Sequence, residues 1–252
     1  VSDDGNFVFT TDEQSDAYIT AFDISDLNNI QEVDRIQSNP GSNSIPHNTF
    51  VDGNFLITSY YRDGTVIHDI THPNYMIQVG YYDSYSTSGN GFDGCWGTYP
   101  YLPSKNIISS DINSSSGQGR LLVYGRNFQQ ACYLEGNIIN SITGLAIPNA
   151  NLEILTTSTN ETANLFGHYQ SAIVNSGTYQ LIFSALGYNS DTITLVLSNG
   201  QMIVQDVYLD PTCLGIEITG LYTSNTTHDR STINWDNMNS NSCSVDQYRI
   251  RY

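Results

Sequence analysis

Short runs of alternating apolar and polar residues, cut by turn signals, make up most of this chain. "FVFTT" at residues 7–11, "YITAFDI" at 18–24, "NFLITSYY" at 54–61 and "GTVIHDI" at 64–70 are strand-length runs rich in aromatic and β-branched residues. No stretch sustains a helical period, so the pattern predicts an all-β chain. Gly, Asn and Asp stand between the runs and favour the turn conformations that β-branched residues resist. Asp52-Gly53 and Asp63-Gly64 are the sharpest hairpin signals, because a tight hairpin turn needs positive φ.

The pattern repeats. Asp-Gly-Asn begins at Asp4 and again at Asp52, and Asp-Ile begins at Asp23 and again at Asp69. A looser third copy, "YPYLPSKNIISSDINSSSGQGRLLVYG", runs from Tyr99 to Gly125. Each copy predicts four strands over about 45 residues, the sequence mark of a propeller blade. Residues 1–131 are therefore expected to be the C-terminal part of a β-propeller. Roughly two and a half blades cannot close a ring of at least about four, so the remaining blades are expected before Val1.

Residues 132–210 read differently. "GTYQLIFSALGY" (177–188), "DTITLVL" (191–197) and "MIVQDVYL" (202–209) belong to a set of short strands that predicts a small β-sandwich. In residues 211–252, Trp235 ends one strand and Tyr248 opens the next, as in the first half of a further sandwich.

These residues carry three resemblances. "HNTFVDGNFLITSYYRDGTVIHDITHPNYMIQVGYYD" (47–83), "FDISDLNNIQEV" (22–33) and "GCWGTYPYLPSKNIISSDI" (94–112) resemble the LVIVD-repeat propeller of the choice-of-anchor B family. Thr71-His72 departs from that repeat, which carries Ser-Asp there. The Gly177-x-Tyr179-x-Leu181 pattern, with Gly187-Tyr188 after it and Gly167-His168-Tyr169 before it, is similar to the carboxypeptidase regulatory-like domain. That module has a transthyretin-like sandwich, and the resemblance implies a spacer or interaction module without hydrolysis. The last segment is similar to the start of a fibronectin type III domain. Together they imply an exported surface protein of a Bacteroidetes-like bacterium that uses type 9 secretion, with no defined activity.

Charge narrows the partners. Eight Lys and Arg face 25 Asp and Glu over 252 residues, a formal net charge of -17. Such a chain repels phosphate backbones and anionic membrane surfaces, so neither nucleic acid nor direct membrane insertion is expected. No apolar run of about 18 residues occurs. Cys95, Cys132, Cys213 and Cys243 lack zinc spacing, and an even count predicts disulfides in an oxidising compartment. Of the three connectivities, Cys95–Cys132 with Cys213–Cys243 is the expected one, and buried free thiols are the alternative.

Candidate chemistry is sparse. "GNGFDG" (89–94) matches G-x-G-x-x-G, but no helix follows to meet a pyrophosphate, so a flexible glycine loop is expected. His47, His68 and Asp69 are the pieces a catalytic triad would need; blade architecture explains them as well, with Asp69 bonding turn amides. No catalytic residue is therefore assigned. Asp12, Glu13 and Asp111 are candidate calcium ligands, because clustered carboxylates repel unless a cation binds. Tyr60, Tyr61, Arg62, Asp63, Trp96 and Tyr99 form a candidate ligand-binding face for a glycan or a protein, although strand-borne aromatics more often pack between blades. Asp191-Thr192-Ile193 resembles a bacterial O-glycosylation site at Thr192.

The expected function is that of a non-catalytic, secreted or cell-surface multidomain protein in adhesion, binding or surface architecture. A secreted hydrolase with its site in a completed propeller is the alternative. Another is a self-associating subunit of an extracellular filament or sheath.

Overall fold

The computed structural model describes residues 1–113, 116–212 and 218–239. Every regular element among them is a strand. They form two compact units. One comprises Val1–Tyr133 with Ala172–Ser176 and Leu197–Gln201; the other holds Leu134–Ser171, Gly177–Val196 and the described residues from Met202 onward.

The first unit contains three antiparallel meanders. β1 (Phe7–Thr11), β2 (Ile19–Asp23) and β3 (Gln31–Ile36) form the first. β4 (Thr49–Asp52), β5 (Phe55–Tyr60), β6 (Gly64–Asp69) and β7 (Ile77–Tyr82) form the second. β8 (Gly94–Tyr99), β9 (Ile107–Asn113) and β10 (Gln118–Tyr124) form the third. None of the sheets closes into a barrel among the described residues. Alternation decides the packing. Phe9, Ile19 and Ala21 of the first meander share one core with Leu56, Tyr60, Val66, Ile70 and Met76 of the second. The other face of β6 meets the third meander, where Thr65 Oγ1 lies 2.7 Å from Ser109 Oγ and 3.4 Å from Cys95 Sγ. Every residue of β6 is consequently buried.

The repeat is visible bond by bond. Gly5 and Gly53 take φ of 76° and 60° in the two Asp-Gly-Asn turns. The Ile24 amide donates to the Asn6 carbonyl at 2.8 Å, and Ile70 donates to Asn54 at 2.9 Å. Asp23 accepts from the Ser25 amide and Asp69 from the Thr71 amide, both at 2.9 Å, because an Asp carboxylate readily bonds the backbone two residues on. A bulge interrupts Ala21/Phe22 against β3 and Ile67/His68 against β7. In the third meander Lys105 occupies the corresponding turn with φ 64°, where the other two copies have glycine. Arg126 ties that turn down: its Nε donates to the Lys105 carbonyl at 2.6 Å, and its guanidinium pairs with Asp52 of the second meander.

Largely within the second unit, β11 (Cys132–Asn140), β12 (Asn151–Ile154), β13 (Asn160–Thr162), β14 (His168–Ile173), β15 (Gly177–Ser184), β16 (Asp191–Leu197), β17 (Met202–Val204) and β18 (Val207–Leu209) form two four-stranded sheets. One has the order β14-β11-β17, with β18 running parallel to β11; the other has the order β13-β12-β15-β16. Leu134, Ile138, Leu152, Ile154, Leu181, Phe183 and Leu209 are buried, and the Tyr169 and Phe183 rings meet edge to face at 5.2 Å. Gly136 has no room for a side chain, since a Cβ there would sit 2.0 Å from the Gln205 carbonyl oxygen. β19 (Tyr222–Ser224) and β20 (Thr232–Asn234) pair as a hairpin.

The expected Cys95–Cys132 disulfide is not formed. Both residues are free and buried. Cys95 lies on β8 with its sulfur against Thr65, whereas Cys132 opens β11, so each thiol is packed in its own surroundings. Burial raises the pKa of both. Cys213 and Cys243 lie outside the described residues.

Two outcomes follow from this packing. Iodoacetamide should leave Cys95 and Cys132 unlabelled in the native protein and label both once the chain is unfolded without reductant, as peptide mass spectrometry would read. Lys105→Gly should raise the thermal midpoint in calorimetry, because a side chain at left-handed φ costs about 1 kcal/mol.

Candidate functional site

The turn between β5 and β6 organises the polar heart of the first unit. The Asp63 amide donates to the Tyr60 carbonyl at 2.8 Å, and the Gly64 amide donates to Tyr61 at 3.0 Å. Gly64 takes φ 82°, and a Cβ there would sit 2.0 Å from the Tyr82 carbonyl oxygen, so the turn requires glycine. Tyr61 itself adopts φ 29°, which is uncommon for an aromatic residue. The Tyr61 carbonyl accepts the Cys95 amide at 2.7 Å, tying this turn to β8.

That link places a row of rings. Phe92 meets Tyr61 edge to face at 5.2 Å, Tyr61 lies 5.2 Å from His47, and His47 lies 5.4 Å from Trp96. Glu13 completes the row, taking the Tyr61 hydroxyl hydrogen on Oε1, which is also 3.6 Å from His47 Nε2. His47 Nδ1 faces the Trp96 carbonyl oxygen. Burial, and then the hydrogen bond to Glu13, raise the Tyr61 pKa. The outer rings remain accessible, Phe92 at 56% and Trp96 at 50%. A local irregularity aims the indole outward. Cys95 opposes Asp111 and Gly97 opposes Ser110, leaving Trp96 as the extra residue of a bulge.

The glycine-rich stretch belongs to the same structure. A Cβ on Gly91 would sit 2.5 Å from the Arg62 guanidinium carbon, and one on Gly94 would sit 2.2 Å from the Tyr61 carbonyl oxygen. The glycines therefore serve the close approach of this loop to Tyr61 and Arg62.

The candidate face divides. Tyr61 and Trp96 come together. Tyr60 instead belongs to the core, donating its hydroxyl hydrogen to the Ala17 carbonyl at 3.1 Å. Arg62 pairs with Asp93 at 3.5 Å and lies over the Tyr85 ring. Asp63 accepts a hydrogen bond from Ser38 Oγ, and burial raises its pKa. Tyr99 lies beside Tyr101, at 5.4 Å between centroids. Phe92 and His47 also belong to the row, and neither is in the face expected from the sequence. An aromatic residue between two glycines, as in Gly91-Phe92-Asp93-Gly94, is the signal that would have found Phe92.

The calcium candidates are not brought together as a cage. Glu13 faces Tyr61 and His47, and Asp12 is exposed. Asp111 is buried and already neutralised, receiving Arg120 Nε at 3.0 Å and Ser84 Oγ at 2.9 Å. Among the described residues no three His, Cys, Asp or Glu side chains converge. Thr192 is exposed near the start of β16, with its amide 2.8 Å from the Asp191 carboxylate.

His47, His68 and Asp69 are committed to separate tasks. Asp69 Oδ1 accepts the Thr71 amide and hydroxyl, and Oδ2 accepts the Ala131 amide at 2.7 Å. His68 is 0% exposed, and neither ring nitrogen has a hydrogen-bond partner. Burial lowers its pKa to about 3.

Residues 134–217 match the family described as CarboxypepD_reg-like domain. No curated protein matches the chain. Among solved structures, the chain is similar to the minor pilin of Streptococcus agalactiae at 10% identity, over 57% of this chain and 71% of that one, with a TM-score of 0.29. It is also similar to the group B streptococcus pilus 2b backbone protein at 14% identity, over 82% of each chain, with a TM-score of 0.29. These scores establish no shared architecture. No helix among the described residues is long and apolar enough to cross a membrane, which leaves β-barrels aside.

His68 makes the fold acid-sensitive. The unfolded histidine takes a proton near pH 6.5, whereas the folded one stays neutral down to about 3. Between those values the unfolded chain binds more protons, so stability falls as pH drops, by at most about 1.4 kcal/mol per pH unit. The raised carboxyls of Asp34 and Asp63 act in the opposite sense, so the parent chain is the reference. Urea unfolding at pH 6.5 and pH 5 should show a smaller acid loss for His68→Leu than for the parent.

Proposed function

We propose that this chain is a non-catalytic, secreted or cell-surface binding protein whose first unit is a propeller-type domain carrying a ligand face. In this reading the carboxypeptidase regulatory-like sandwich is a spacer, the last segment begins a fibronectin type III domain, and export uses the type 9 route. The supporting observation is the row Phe92–Tyr61–His47–Trp96, with its polar atoms fixed by Glu13 and its outer rings exposed.

Such a row suits the apolar face of a sugar or a flat side chain of a protein. The exposed rings supply contact area with little conformational freedom to lose, and Glu13 supplies an acceptor beside them. Because Tyr61 is held by its turn and by Glu13, ordering costs little on binding. The surplus of acidic residues disfavours nucleic acid. Thr192, exposed near the start of β16, is the O-glycan acceptor in this reading.

A glycan array followed by calorimetric titration with the best-bound oligosaccharide tests the reading. Trp96→Ala should weaken binding at least about tenfold, the equivalent of 1.4 kcal/mol. Trp96 is half exposed, so circular dichroism should remain unchanged. Equal affinity in the parent and variant would overturn the assignment of this row.

A further inference from the structure

The third meander is one strand short of the second. β6 lies between β5 and β7, but among the described residues β10, which holds β6's place in the third meander, pairs with β9 alone. The difference appears in burial. β6 is buried throughout, whereas β10 exposes Leu121 at 69% and Val123 at 60%. An apolar edge strand with unpaired amides and carbonyls is a template for pairing with another strand.

Beside this edge lies a cavity of about 790 Å³. β7 and β10 both line it, through Val79, Tyr82, Val123 and Tyr124, with Ile67 and Phe128 contributing apolar surface. Tyr82 and Tyr124 approach across it, with ring centroids 5.1 Å apart. In a strand alternate side chains point the same way, so one added along β10 would direct every second residue into this space.

We propose that the open edge of β10 is a docking site for an extended, basic polypeptide strand from a partner protein. The strand adds to the third meander as β7 does to the second, placing alternate apolar side chains in the cavity. Charge selects the partner. The chain carries a net charge of -17, so a second copy is repelled and a cationic segment attracted. The arginines closest in sequence are already paired, Arg120 with Asp111 and Arg126 with Asp52, and add no uncompensated positive charge.

A lysine-flanked synthetic peptide of β7's own sequence, IQVGYY, probes the site. Hydrogen exchange of the complete chain with and without the peptide should show new protection in residues 118–124. Exchanging the flanking lysines for glutamates should weaken binding at least about tenfold. The double substitution Leu121→Lys and Val123→Lys should abolish the protection while circular dichroism stays unchanged, since both side chains are exposed. Absence of protection in the parent, or full protection in the double variant, would overturn the proposal. Protection of β10 without peptide that grows with protein concentration would overturn it in favour of self-docking.

Discussion

β6 has no face left for solvent, and the first unit depends on that constraint. Its Val66 side belongs to a core shared with the first meander, and its Thr65 side meets Ser109 and Cys95 of the third. A strand enclosed in this way must satisfy its polar groups internally. Thr65 does so through Ser109, and Asp69 through the Thr71 and Ala131 amides. His68 is the exception, keeping both nitrogens unpartnered and its ring neutral. The turn before β6 is bonded to the third meander through the Cys95 amide, and from that turn Tyr61 reaches Glu13 beside the exposed rings.

The repeat was the most legible part of the sequence. Asp-Gly-Asn and Asp-Ile recur at nearly constant offset, and each recurrence corresponds to the same backbone bond in the structure. These signals are local, because a glycine at positive φ or a carboxylate bonding two residues ahead needs only its neighbours. The alternation along β15 was legible for the same reason, with Leu181 and Phe183 turned inward.

What depended on distance was not legible. Glu13 and Tyr61 are 48 residues apart, and His47 and Trp96 are 49 apart. Nothing in the string ties those pairs together, so Glu13 was read with the wrong partners and Tyr60 with the wrong face. The Cys95–Cys132 pairing failed on the same ground: an even count suggests pairing, but only packing decides which thiols meet. The Trp96 bulge was also hidden, since a one-residue excess against the partner strand shows only once the register of both strands is known.

Lys105 carries one further consequence. It is the chain's sole lysine, and its residue is exposed in the turn between β8 and β9. Reagents that seek side-chain amines therefore have a single address on this molecule. A chain coupled to a surface or a fluorophore through that amine is held at one defined point, and all copies present the same orientation. Lysyl-specific proteolysis has the same single target, so the cut itself reports whether that turn is accessible.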